Sequence, residues 1–397
     1  MRTLKLLWGS PLPPTRSGIA DYAAELLPHL ARRAEVAVLE PPDWKPPADA
    51  AWLSDLQRFP WDVATPRGFV PLLHLGNNPY HLWIVRRLRR FGGVAVLHDT
   101  VLGHLLVEEA AADGEWKRFA EELVESHGTA GSAIAAGRRW GYSGRLDPFL
   151  FPARAVYLRH ASAVVVHTRL AESEVAASCP GLPVRRVPLA VAEPAVGDRE
   201  SWRGRLGVND QELVLVHLGF LTPAKGLDVI LHSLAALSLM GVGARLVVVG
   251  EGSEAGAFEA AVAAAGLESR VRVWGYASEG ELGGILAAAD LGLVPRYPTA
   301  GETSATTLRF FAAGRPVAVA GYRQFLELPQ EAAFRVAPGR AGVADLVRVV
   351  AALARDEQVR ARAGAASRKA WAEGGHEPAE AASALLAAVG ELARDVA

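Results

Sequence analysis

Two hydrophobic patterns alternate along the chain. Short, almost wholly apolar runs are separated by Ala- and Leu-rich stretches with helical spacing. In the first half the runs are Thr3–Trp8, Val36–Leu39, Val70–Leu75, Val94–Leu97, Ala163–Val166 and Val184–Val187. In the second they are Leu213–Leu218, Arg245–Val249, Val271–Trp274, Leu291–Val294, Pro316–Ala320 and Phe334–Val336. A strand without polar alternation is buried on both faces, as in a parallel sheet covered by helices. The β, α, β, α order therefore predicts doubly wound α/β folds. The stretch Leu189–Val208 breaks the series, being rich in Pro, Gly and charge, and is expected to link two domains. That places one domain at 1–190 and another at 191–377. A closing helix is predicted over Pro378–Ala397, with Leu385, Leu386, Val389 and Leu392 on one face.

Composition narrows the class. A chain of 397 residues is long for one core and suits two domains. The formal charge of −1 provides no global basic field for nucleic acid. Cys179 is the only cysteine, so neither an intrachain disulfide nor a Cys-based zinc site is expected. The N-terminus lacks the apolar region of a signal peptide, and no apolar stretch reaches the ~18–20 residues of a membrane span. The expected location is cytoplasmic. Lysine is rare and occurs only at 5, 45, 117, 225 and 369, which draws attention to Lys225 in a Gly-rich loop.

In open parallel sheets ligands collect beyond the carboxyl ends of the strands, so those loops are the ones to read for chemistry. Arg296–Gly314 follows the run Leu291–Val294. Gly301 supplies backbone freedom there, Thr303 and Ser304 are good N-cap residues, and Gly314 is a plausible helix stop. The helix N-terminus suits a phosphate. Glu302 is an acceptor-only group for sugar or ribose hydroxyls. A capped core helix with Glu302 facing solvent fits the residues equally well. Gly219–Gly226 places Lys225 ahead of another helix, where a mobile cation can meet a diphosphate; a solvated surface lysine is the plainer reading. Gly9–Asp21 contains Ser17-Gly18, which is a simple turn or a close approach to a ligand. His98-Asp99 and His74–His81 also lie at strand ends. Asn77 and Asn78 are suited to binding hydroxyls or capping a turn. A lone histidine such as His98 is more often structural. The Walker A spacing, the G-x-G-x-x-G fingerprint and the G-x-S-x-G elbow are absent; Asp-x-Asp is absent too, so no dedicated metal site holding a diphosphate is expected.

Taken together these segments resemble the family 4 retaining glycosyltransferases of the GT-B fold. The resemblance rests on HLGFLTPAKGLDVILHSL, RLVVVGEG, VRVWGYASEGELGGILAAADLGLVP and GETSATTLRFFAAGRPVAV in the second half. SGIADYAAELLPHL and VVVHTRLAESEV carry it in the first. It implies two facing Rossmann-like domains, with the donor on the second, the acceptor on the first, and the terminal helix crossing back to the first. Lys225 matches the lysine that binds the donor diphosphate, and the backbone at Thr303 and Ser304 matches the segment receiving phosphates. His98 matches a histidine near the transferred sugar, Gly18 a small residue facing the donor phosphates, and Gly275-Tyr276 the backbone that meets the base. Phe220 stands where the family has an arginine; Arg296, from the neighbouring loop, is the expected substitute. Of the family's two glutamates, Glu302 matches the first at a position shifted by about one. The second falls at Arg309 or Phe310.

The function implied is metal-independent transfer of a sugar from a UDP- or GDP-sugar to a hydroxyl acceptor, with retention. The nucleotide-sugar is a co-substrate and no cofactor is expected. Asn77, Asn78 and Asp99 are candidates for acceptor contacts. The acceptor's class (sugar, lipid-linked or natural product), peripheral contact with the inner membrane face, and the oligomeric state are left open. A sugar-nucleotide epimerase and a noncatalytic nucleotide-sugar-binding protein remain as alternatives. The missing glycine fingerprint speaks against a dinucleotide oxidoreductase.

Overall fold

The computed structural model describes residues 4–395 apart from 49, 55, 143, 145, 146 and 196. Thr3, at the start of the first expected strand, and 396–397, at the end of the expected closing helix, lie outside the described residues. By its contacts the chain divides into two units. The first takes residues up to Ala190, the segment Ala300–Thr303 and the chain from Pro378 onward; the second takes Val191–Thr299 and Ser304–Glu377.

The first unit holds a seven-stranded parallel sheet. Its strands are β1 (Lys5–Gly9), β2 (Glu35–Glu40), β3 (Gln57–Pro60), β4 (Phe69–Leu75), β5 (Val94–Leu97), β6 (Ala163–Val166) and β7 (Val184–Arg186), in the order β3-β2-β1-β4-β5-β6-β7. β5 and β6 are buried at every position, as their uninterrupted apolar runs require. β3 has no counterpart in the apolar pattern. Its sequence QRFP is mostly exposed at the sheet edge, where burial does not constrain residue type and proline is tolerated. Leu7, Leu39, Leu73 and Leu75 from the sheet pack with Ile84, Val85 and Leu88 from the helix Leu82–Phe91.

The second unit holds a six-stranded parallel sheet. Its strands are β8 (Leu213–Leu218), β9 (Ala244–Val249), β10 (Val271–Gly275), β11 (Leu291–Val294), β12 (Val317–Ala320) and β13 (Ala333–Val336), in the order β10-β9-β8-β11-β12-β13. In both units the order reverses beside the first strand, β1 or β8. That reversal is the topological switch point where ligands of such sheets collect.

The helix Pro378–Asp395 packs on the first helix, Gly18–Ala31, within the first unit. It buries Ala381, Ala382, Leu385, Ala388, Val389 and Leu392, while Leu386 sits at the margin of this face. Arg33 hydrogen-bonds to Ser383 and Arg185 pairs with Glu391 at 3.0 Å.

The stretch Leu189–Val208, read from sequence as a linker, contains the helix Arg199–Leu206, capped by Asp198. Arg203 reaches back to the buried Asp290 at 3.2 Å. Its apolar side is only Trp202, set against Gly284, and the buried Leu206, too few for an apolar period to show.

Candidate functional site

Two groups of candidate residues assemble, one in each unit. In the second, the loop after β8 turns through Gly219 and closes at Gly226. A β-carbon on Gly226 would stand 2.5 Å from the carbonyl oxygen of Pro295. This glycine therefore lets the Lys225 loop press against the loop after β11. The contact is sealed by the Tyr297 amide, which donates to the Ala224 carbonyl at 2.9 Å. On the other side Gly250 and Gly252, just after β9, leave room for the backbone of Gly219 and Leu221. The V-G-E-G run thus braces the lysine loop.

Lys225 points across this loop. A β-carbon on Gly219 would be 3.2 Å from Lys225 Nζ and 3.8 Å from Thr306 Oγ1. Thr306 lies in the first turn of the helix Ala305–Ala312. Ser304 caps that helix, its Oγ accepting from the Thr307 amide at 3.2 Å and from Thr307 Oγ1 at 3.0 Å. The ammonium group and the amino end of a helix, two features that each favour an anion, thus meet in one place. A buried histidine on β8 senses the charge there. His217 donates from Nδ1 to the Leu293 carbonyl at 3.0 Å. Burial, with further contributions from the Lys225 and Arg296 charges, pushes its pKa down to about 3. Arg296 thus lies within electrostatic reach of the same point as Lys225. Phe220, by contrast, is half exposed.

The remaining candidates of this unit are more dispersed. Gly275 ends β10, Tyr276 after it is exposed, and a β-carbon on Gly275 would meet no protein atom within 4 Å. Phe310 is buried against Gly292, so it offers nothing to a ligand. Arg309 pairs with Glu279 at 3.1 Å. Glu279 opens the helix Glu279–Ala288 just beyond Tyr276. Nothing in the local pattern singles out Glu279, which Arg309 reaches by its side chain across thirty positions of the chain.

In the first unit, Ala300–Thr303 packs on the loop after β5. Val101 donates its amide to the Ala300 carbonyl at 2.9 Å, and Thr303 to the His98 carbonyl at 3.4 Å. Glu302, buried, is therefore held beside His98, about two hundred positions earlier in the chain. Gly301 makes the turn with φ +73°. His98 continues the β4–β5 ladder, its amide donating to the Leu75 carbonyl at 2.9 Å. Its ring packs among Tyr22, His74 and His167, with centroids 5.1–5.2 Å away. Burial, joined by the neighbouring histidines, holds its pKa well below the usual value, so the ring is neutral.

Ser17 caps the first helix, accepting from the Ile19 amide at 3.3 Å, and Gly18 follows as its first residue. A β-carbon on Gly18 would meet no protein atom within 4 Å. Asn77, Asn78 and Asp99 make local backbone bonds. Asp99 accepts from the Asn77 amide at 2.6 Å, Asn77 Oδ1 accepts from the Leu105 amide at 3.0 Å, and Asn78 accepts from Tyr80 at 3.0 Å.

A cavity of about 610 Å³ lies at the opposite, amino-terminal edge of the second sheet, lined by Arg199, Arg203, Asp290 and Arg315. These groups are already engaged. Arg199 and Arg315 donate to carbonyls at the end of the helix Glu279–Ala288, and Arg203 pairs with Asp290. These contacts hold the helix ends in place.

Residues 212–356 match the family Glycosyl transferases group 1. The match takes in β8 through β13 with the Lys225 and Ser304 loops. The D-inositol 3-phosphate glycosyltransferase of Segniliparus rotundus is 32% identical over 105 residues, which is 25% of this chain and 23% of that protein. The chain thus aligns with under a quarter of the length of that curated relative. Sucrose-phosphate synthase from Thermosynechococcus elongatus superposes with a TM-score of 0.69 at 16% identity, over 99% of each chain. Anabaena HepE in complex with UDP-glucose superposes with a TM-score of 0.65 at 15% identity, over 98% of this chain and 100% of that one. The architecture is GT-B. Among the described residues no helix is long and apolar enough to cross a membrane.

Proposed function

We propose that this chain is a glycosyltransferase that moves a sugar from a nucleoside-diphosphate sugar, UDP- or GDP-linked, to a hydroxyl acceptor. The observation that carries the reading is the position of Lys225 Nζ beside Gly219 and Thr306, at the capped start of the helix Ala305–Ala312. Support also comes from the family match over 212–356 and from a structural neighbour crystallised with UDP and with UDP-glucose.

In this mechanism the bond between the anomeric carbon and the β-phosphate oxygen breaks as negative charge grows on the diphosphate. Lys225, Arg296 and the backbone amide of Ser304 at the start of the helix Ala305–Ala312 stabilise that charge, without a metal; the Thr303 amide is spent on the His98 carbonyl. Preorganised donors of this kind carry a large share of catalysis in water-poor sites. The acceptor oxygen bonds to the same face of the anomeric carbon and its proton passes to the leaving phosphate oxygen, so configuration is retained. Glu302 and His98 serve hydroxyls of the transferred sugar. Gly275 and Tyr276 lie along the base, and Gly18 leaves room for the phosphates. Glu279, held by Arg309, supplies the second carboxylate for the ribose. Asn77, Asn78 and Asp99 shape the acceptor loop through the backbone they hold.

The test is donor turnover with purified protein and UDP- or GDP-sugars, scored as release of nucleoside diphosphate with and without simple hydroxyl acceptors. Release from one of the donors supports the reading. Nucleotide binding without any release, for every donor and acceptor, would replace it with a noncatalytic nucleotide-sugar-binding protein.

A further inference from the structure

One histidine pair in the first unit has a geometry that the reaction scheme above does not use. His74 lies on β4 and His98 just past β5. His74 Nδ1 and His98 Nε2 are 2.9 Å apart. Both rings are buried. His74 is fixed from several sides. Its ring lies against Trp8, with centroids 3.9 Å apart, and near Tyr22 at 5.8 Å. Its carbonyl accepts from His81 Nδ1 at 2.8 Å. Gly76 leaves the space that His81 fills, since a β-carbon there would stand 2.7 Å from His81 Nε2.

A hydrogen bond between two neutral imidazoles needs one donor and one acceptor. Burial keeps both rings below the usual histidine range, and each therefore carries one proton. Two arrangements satisfy the pair. If His98 donates, His74 holds its own proton on Nε2, which is buried without a hydrogen-bond partner among the described residues. If His74 donates from Nδ1, that buried Nε2 is only an idle acceptor. Orphaned buried N–H groups are rarer than under-used acceptors, so the second arrangement wins. His98 Nε2 then accepts, and its proton must sit on Nδ1, the nitrogen that His74 does not engage. His167, the other histidine packed on His98, donates its own Nδ1 proton to the Val187 carbonyl at 3.1 Å.

We infer that His74 is a positioning residue that locks His98 in the Nδ1–H tautomer, presenting a hydrogen-bond donor to an oxygen of the transferred sugar. The sugar contact rests on the glycosyltransferase reading; the tautomer does not. A ring oriented through its far nitrogen is a common device in histidine chemistry.

The first test is two-bond ¹H–¹⁵N correlation of the imidazoles in ¹⁵N-labelled full-length protein, with His98 assigned by the spectrum of His98→Gln. The inference expects a protonated Nδ1 and an unprotonated Nε2 on His98. A proton on Nε2 overturns it. The second test compares His74→Asn, whose amide nitrogen replaces Nδ1, with His74→Gln, whose amide nitrogen replaces Nε2. The Asn variant keeps most of kcat, whereas the Gln variant loses roughly tenfold or more, with the nucleotide Kd unchanged in both. Equal kcat in the two variants overturns the positioning role. The spectroscopic arm needs no turnover. If no donor is ever consumed, the functional reading fails while the tautomer assignment still stands or falls by its own spectrum.

Discussion

Gly226 and Gly18 are glycines for different reasons. At Gly226 the fold forbids a side chain, because the Pro295 carbonyl occupies its place. At Gly18 the surrounding protein leaves open space in a helical turn, so stability alone would favour alanine by up to about 1 kcal/mol. Gly18→Ala is therefore expected to hold or raise Tm while weakening donor binding, measured by calorimetric melting and by titration with the donor nucleotide. An unchanged affinity would remove Gly18 from the site. Lys225→Ala should lower kcat by roughly 10²–10³-fold, comparable with losing one charge-stabilising donor, in steady-state assays of donor consumption. Arg296→Ala should raise the nucleotide Kd, and no change would return the missing loop arginine to an open question. Lys225 was legible in the sequence because lysine is scarce and this one follows a strand end. His74 was legible only as part of a loop. Its significance lies in a ring-to-ring contact across two strands, which no local pattern encodes.

The helix Ala305–Ala312 owes its start to Ser304, whose side chain satisfies the Thr307 amide. Ser304→Ala should cost the ligand-free protein about 1 kcal/mol, read as a lower denaturation midpoint in urea. All twelve expected runs appear as β elements at nearly those positions; the clearest, such as β5 and β6, are buried throughout, whereas β7 and β10 are only partly covered. β3 was not readable, because an exposed edge strand puts no demand on its side chains. The helix Arg199–Leu206 escaped for a related reason. It is held by the Arg203–Asp290 pair together with only Trp202 and Leu206, an apolar stripe of two residues. Arg309 meets Glu279 across thirty positions of the chain, a pairing that no linear motif encodes.

At the scale of the molecule, both sheets reverse their order beside the first strand of each unit, and the candidate residues lie at or after the carboxyl ends of β1, β4, β5, β8, β10 and β11. Fold class and the strand-end loops were thus legible from pattern alone. The packing of Ala300–Thr303 on the His98 loop was not, because it joins segments about two hundred residues apart. Buried neutral histidines also set a pH limit. His74 and His98 lie well below 6.5, His81 is pushed down to about 4 and His217 to about 3, in each case chiefly by burial. An unfolded chain takes up these protons more readily than the native one, so the stability they contribute is full above about pH 6.5 and is lost as pH falls. Tm should drop between pH 7 and pH 5 and change little between pH 7 and pH 8; a flat profile down to pH 5 would contradict the buried neutral state.

On the proposed function, Lys225 and the start of the helix Ala305–Ala312 hold the diphosphate of a nucleotide-sugar. Thermal melting of the wild type and of Lys225→Ala with UDP, GDP, ADP and TDP tests it most directly, since a ligand that binds only the native state raises Tm by mass action. A rise in the wild type with at least one of these nucleotides, largely lost in Lys225→Ala, is the predicted result. No shift with any of the four, or an equal shift in both proteins, would contradict it.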